Sequence, residues 1–126
     1  MITQGVPFHG EFASADASAL SEPNSRFTLY SVNSKTTFTI GAADKIFITD
    51  VWIWSVAAVI LSVYDGADNT VDAGEKIIGT TAAVTANYNA YFPFMTAFGC
   101  QTGTYPKVKA GAGQIDVLIR GFISGG

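Results

Sequence analysis

From Arg26 onward the chain is a succession of short aromatic and β-branched runs, each closed by Gly, Asn, Asp or Ser. Such punctuation, recurring about every 8–12 residues, leaves an antiparallel sandwich or barrel as the main solution. Residues 27–32 and 36–40 are the first two runs, with Asn33-Ser34 as the turn signal between them. Further runs span 46–56, 59–64, 75–78, 80–85, 88–95, 105–109 and 114–123. That predicts about eight or nine strands. A helical reading is strongest at 55–63 and 80–90, where alanines cluster, because short apolar runs cannot be assigned by period alone. No self-similarity marks a solenoid or propeller.

Residues 1–25 have a different texture, rich in Ser, Ala, Gly and Glu with isolated apolar positions at Val6, Phe8, Phe12 and Leu20. Residues 14–20 have the composition of one or two helical turns, ended by Pro23-Asn24. The segment carries too few apolar groups to form a core of its own. It reads as an extended arm (1–25) whose spaced apolar side chains anchor on a partner, preceding a β domain (26–126).

Residues two apart on a strand share a face. In the last run Ile115, Val117, Ile119 and Gly121 form one face, and Asp116, Leu118, Arg120 and Phe122 the other, which describes a half-buried strand. The 46–56 run is apolar on both sides under strict alternation: Ile46, Ile48, Trp52 and Trp54 with Asp50 against Phe47, Val51 and Ile53. The 88–95 run is equally two-sided, with Tyr88, Ala90, Phe92 and Phe94 opposing Tyr91, Pro93 and Met95. A sandwich strand needs only one face in its core, so the other must be covered by the arm or by a neighbouring subunit. Composition favours the neighbour. Only 13% of the residues are charged, whereas 48% are hydrophobic and 13% aromatic. A typical soluble domain carries about a quarter charged residues. The interface candidates are therefore Val6, Phe8, Phe12, Leu20, Trp52, Trp54, Phe92 and Phe94.

Seven basic residues and a net charge of -3 do not make the basic stripe that nucleic-acid binding needs. The longest apolar run, 56–61, falls far short of a membrane span, and no signal-peptide pattern opens the chain. The loop 65–75 concentrates four acids and Asn69, but its spacing does not match a calcium-binding EF-hand and reads as a solvated turn-rich connection. His9 is the only histidine and Cys100 the only cysteine, so neither has a like partner for zinc. Nothing around Cys100 would lower its pKa, and a buried structural thiol is the better reading than a Cys–His nucleophile. There is no Gly-x-Ser-x-Gly elbow, and the turn at Gly111-Ala112-Gly113 leads into a strand rather than a helix. Lys107 and Lys109 share a face and read as protection of a strand edge. No cofactor, metal site or catalytic set is expected.

The stretch 46–64 followed by Asp65-Gly66, then Ile77-Ile78-Gly79-Thr80, Tyr91-Phe92-Pro93-Phe94 and the closing segment 111–122 resembles the small jelly-roll proteins of tailed-bacteriophage virions. Capsid decoration (cement) proteins and head-fibre modules belong to this group. The resemblance covers about two thirds of the chain and rests on texture rather than an invariant motif. It implies a single jelly-roll-like antiparallel β-sandwich, a homotrimer, and attachment to the major capsid protein on the outer surface of a virion assembled in the host cytoplasm. On this reading the chain is a structural protein and no enzyme. A carbohydrate- or receptor-binding module of a head fibre or tail is the alternative, which exposed aromatics with acid or amide neighbours would favour. Trp52, Trp54, Tyr88 and Asn89 are the residues it would use.

Overall fold

A computed structural model describes residues 5–14, 28–32, 36–56, 58, 60–65, 74, 76–79, 84–110 and 115–124. Among them there is no helix, and nine strands form two antiparallel sheets in a sandwich-like arrangement. The strands are β1 (Val6–Ser14), β2 (Thr28–Ser31), β3 (Thr37–Phe38), β4 (Lys45–Ser55), β5 (Leu61–Tyr64), β6 (Lys76–Gly79), β7 (Tyr88–Gly99), β8 (Lys107–Ala110) and β9 (Ile115–Ser124). The large sheet has the order β3-β2-β1-β9-β4-β7 and the small one β6-β5-β8. From β4 onward the chain crosses between them: β5 and β6 in the small sheet, β7 in the large, β8 in the small, β9 in the large. Such crossing is the jelly-roll manner of closing two sheets on one core. The β2–β3 hairpin departs from it by prolonging the large sheet beyond β1.

The core is made of inward residues of both sheets. Phe8, Leu29, Ile46, Ile48, Val51, Ile53, Ile115, Val117, Ile119 and Ile123 come from the large sheet, and Val63 and Val108 from the small one. Each fully buried Val, Ile, Leu or Phe contributes on the order of 1.5–3 kcal/mol. Phe92 and Phe94 pack against this cluster from β7.

Two expectations change here. Residues 6–14 are no arm reaching away from the domain. They form β1, paired residue for residue with β9 from Val6↔Ile123 to Ser14↔Ile115, and with β2 on its other side. Phe8 is accordingly a core residue, 1% exposed. The physical reason is edge satisfaction: without β1, the backbone groups of β9 that face away from β4 would lie unpaired over the core. The segments 1–4 and 15–27, with Leu20, lie outside the described residues, as do 80–83 and most of the acidic loop.

The second change is a phase slip in β4. Thr49 is an extra residue against β9, where Ile48 pairs with Gly121 and Asp50 with Arg120. Against β7 the irregularity at the same place lies on the partner strand: residues 94–97 stand opposite Thr49, between the pairs Ile48↔Phe98 and Asp50↔Pro93. Burial follows positions 46 and 48 before the slip and 51, 53 and 55 after it. The bulge therefore turns Trp52 and Trp54 away from the face of Ile46 and Ile48, onto the outside. One inserted residue suffices, because the side-chain period of a strand is two. Gly121 sits opposite, paired with Ile48. A Cβ at Gly121 would overlap the carbonyl oxygen of Phe47 and stand 2.9 Å from its carbonyl carbon, so the bulge closes only against glycine.

Two outcomes follow from this geometry. Gly121→Ala should lower stability by about 3 kcal/mol or more, since backbone must move, measured by urea unfolding. Deleting residues 1–14 should abolish the cooperative unfolding transition, because it removes an interior strand. A truncated chain that melts like the full one would refute the placement of β1.

Candidate functional site

Pairing places successive rows of side chains on the outer face of the large sheet. One row holds Asn89, Trp54 and Asp116 across β7, β4 and β9. The next holds Tyr91, Trp52, Leu118 and, on β1, Glu11. The third holds Pro93, Asp50, Arg120, His9 and Tyr30. Beyond the bulge lie Phe47 and Phe122, their rings stacked at 4.9 Å. That far end is closed over. Lys45 Nζ stands 5.3 Å from the Phe47 ring, and Gly5 lies so close to Phe122 that a Cβ there would meet its ring.

The third row carries an internally neutralised pair of charges. Arg120 donates to Asp50 Oδ2 from Nε at 2.9 Å and from Nη2 at 2.6 Å. Tyr91 donates its hydroxyl to the same oxygen at 3.1 Å, and Thr49 Oγ1 donates to Asp50 Oδ1 at 2.8 Å. The bulge residue thus also serves as a ligand of the carboxylate beside it. Burial pushes the Asp50 carboxyl up, but the hydrogen bonds from Arg120, Thr49 and Tyr91 and the Arg120 charge outweigh it and hold the group below its usual value. Arg120 is pushed up by the same hydrogen bond and charge. The carboxylate is largely covered, while the guanidinium stays about half exposed.

The open end is aromatic. Trp52 is 46% exposed and Trp54 37%. Trp52 donates Nε1–H to Asn89 Oδ1 at 2.8 Å, and its ring meets that of Tyr91 at 5.3 Å between centroids, tilted by 53°. Asn89 and Tyr91 thereby fix the indole, and Asp50 fixes the Tyr91 hydroxyl. Of the residues singled out from sequence, Trp52, Trp54 and Asn89 come together here. Tyr88 packs against the core, as do Phe92 and Phe94, so these three take no part in the outer face. Val6 is exposed at the start of β1, and Phe12 pairs with Val117 in the sheet.

Sequence reading missed Asp50, Tyr91 and Arg120 as a unit. Their chain separations are 41 and 70 residues from Asp50, and only strand pairing brings them together. The available signal was the lone Asp in an apolar run.

Chemistry is not organised elsewhere among the described residues. No three His, Cys, Asp or Glu side chains gather there to hold a metal. Cys100 is buried. Burial first, and then the Asp65 charge, push its thiol up to about 12, against the opposing charges of Lys107 and Lys45. His9 lies on the outer face, stacked on Tyr30 at 5.1 Å with Nε2 3.7 Å from Glu11 Oε2. Lys107, expected as a solvated edge residue, is buried opposite Tyr64, close enough for its charge to act on Cys100. No protein-family model, curated protein or solved structure matches the chain.

Asp50 should make acid unfolding measurable. A carboxyl held below its unfolded value stabilises the fold above the unfolded pKa, and that contribution is lost as pH falls through the folded one. Asp50→Asn should therefore lower stability at neutral pH by about 1 kcal/mol, discounted for the exposed Arg120. The difference from the wild type should shrink as pH falls below about 4, measured by urea unfolding at stepped pH. A constant difference across that range would exclude the assignment.

Proposed function

We propose that this chain is a structural subunit of a virion, a capsid decoration protein that binds and stabilises the lattice of the major capsid protein. The observation that carries the reading is the edge of the large sheet. The sheet order ends at β7, twelve residues (Tyr88–Gly99) without one charged side chain. Soluble monomers blunt such edges with Lys, Pro, bulges or a covering segment. Here the strand has no Lys; it carries Pro93 and an irregularity in its pairing at residues 94–97, where Met95 stands fully exposed. Among the described residues no strand pairs with the outer side of β7, and an uncharged edge of this kind invites a strand from another chain.

Three further observations support an assembly role. Val6, Val32, Val56 and Ile60 add exposed apolar surface near the two ends of the sandwich. The chain has seventeen charged residues in 126, seven basic and ten acidic, with which to cover itself. The strand crossing is that of the jelly rolls whose sequence texture it resembles. On this reading the protein makes and breaks no covalent bond. It works by burying apolar area and completing backbone pairing, and the homotrimer is the oligomer the resemblance implies.

The test is light scattering on the full-length protein, followed by co-sedimentation with capsid shells lacking it. Wild type should exceed the 13.3 kDa of one chain at tens of micromolar and pellet with shells. Met95→Lys should reduce association by tenfold or more. A monodisperse wild-type monomer that stays in the supernatant would overturn the proposal.

A further inference from the structure

We propose that the open aromatic end of the outer face, Trp52, Trp54 and Tyr91 with Asn89, Asp50 and Arg120, is a binding site for a neutral glycan. The inference goes beyond the assembly role and uses a different surface of the same sheet. A pyranose ring presents apolar C–H groups on its faces and hydroxyls around its rim. Its receptor therefore needs an exposed ring whose orientation is fixed, with donors and acceptors at that ring's edge. Both parts are present.

Trp52 is nearly half exposed, yet its indole is pinned by Asn89 at 2.8 Å and flanked by Tyr91. Little rotamer entropy remains to be lost when a ligand stacks on it. Trp54 follows two residues along β4 on the same face, roughly 7 Å away, so the two indoles form one row. The ring edges carry polar groups with capacity left. Asn89 accepts the indole hydrogen through Oδ1, and the amide hydrogens of the same group can donate to a hydroxyl. Arg120 engages Asp50 through Nε and Nη2, leaving Nη1 on a half-exposed guanidinium. The Tyr91 hydroxyl donates to Asp50 and can accept from a ligand.

Charge selects the class of sugar. The Asp50 and Arg120 charges cancel, while Asp116 stands beside Trp54 and Glu11 beyond Leu118. Asp116 is the charged group nearest the Trp54 ring, so uronates and sulfated sugars are disfavoured there relative to uncharged hexoses. Nor is the patch an uninterrupted apolar surface of the kind a protein core contact favours: amide, carboxylate and guanidinium alternate with the rings.

The experiment titrates the full-length protein with maltohexaose, cellohexaose and chitohexaose, with an oligogalacturonate of equal length as the charged control. The two indole Nε1–H signals are followed by nuclear magnetic resonance. At least one neutral hexasaccharide should shift both with a Kd of ~1 mM or tighter. The oligogalacturonate should bind at least tenfold more weakly. Trp52→Ala should weaken binding more than tenfold while the Trp54 signal keeps its unliganded position, and Asn89→Ala should weaken it several-fold in a chain that keeps both tryptophans. Unmoved indole signals with all three neutral sugars, or preference for the oligogalacturonate, would overturn the site. Oligomerisation and its loss in Met95→Lys are read separately by light scattering, so either proposal can fail while the other holds.

Discussion

The outer face of this protein exists because of one inserted residue. Without the bulge at Thr49, strict alternation would carry Trp52 and Trp54 inward behind Ile46 and Ile48 and send Val51 and Ile53 to solvent. The core would have to hold two indoles where it now holds a Val and an Ile, an overpacking no neighbouring strand could absorb. The bulge is in turn held from both sides. Gly121 lets the backbone of β9 pass within contact of Phe47, and the single hydroxyl hydrogen of Thr49 is shared between Asp50 Oδ1 at 2.8 Å and the Arg120 carbonyl at 3.1 Å. Removing the slip would thus disturb the core, the Asp50–Arg120 pair and the tryptophan row together.

Much of the strand layout was readable from residue type and turn chemistry. The runs at 27–32, 36–40, 46–56, 59–64, 75–78, 88–95, 105–109 and 114–123 each contain or overlap an observed strand. The face assignment of β9 also stands, because nothing interrupts its alternation. The face of β4 was not readable in the same way. Under strict alternation a slip of one residue looks like a strand apolar on both sides, and the low charge count then makes an intersubunit explanation attractive. Ile46, Ile48, Val51 and Ile53 do contain the signal: two pairs at spacing two, separated by three.

The loss of β1 from the sequence reading has another cause. Phe8, Gly10 and Phe12 alternate with His9 and Glu11 as a half-buried strand should. Pro7 and Gly10 weaken that pattern, each being unfavourable inside a strand, and the Ser- and Ala-rich residues that follow give the whole segment the composition of a tail. What decides the matter is non-local. A strand at this place is required by β9, whose backbone must find a partner on each side, and no property of residues 6–14 alone announces that requirement.

The two surfaces argued for function are geometrically independent, and the reason lies in the sheet itself. Strand pairing acts in the plane of the sheet, through N–H and C=O groups that point sideways from β7. Side chains of the outer face stand perpendicular to that plane. A neighbouring chain can therefore add to the β7 edge without occupying the Trp52–Trp54 row, and its own outer row could even prolong the platform across the junction. Face-on packing of a second copy, by contrast, would bury both tryptophans and strip water from the Arg120 guanidinium, whose charge is matched, among the described residues, by a carboxylate already holding Tyr91 and Thr49. Desolvating such a pair costs more than its attraction returns unless the geometry is fully satisfied. The arrangement of charge on this face thus favours edge-on assembly with the aromatic row left open.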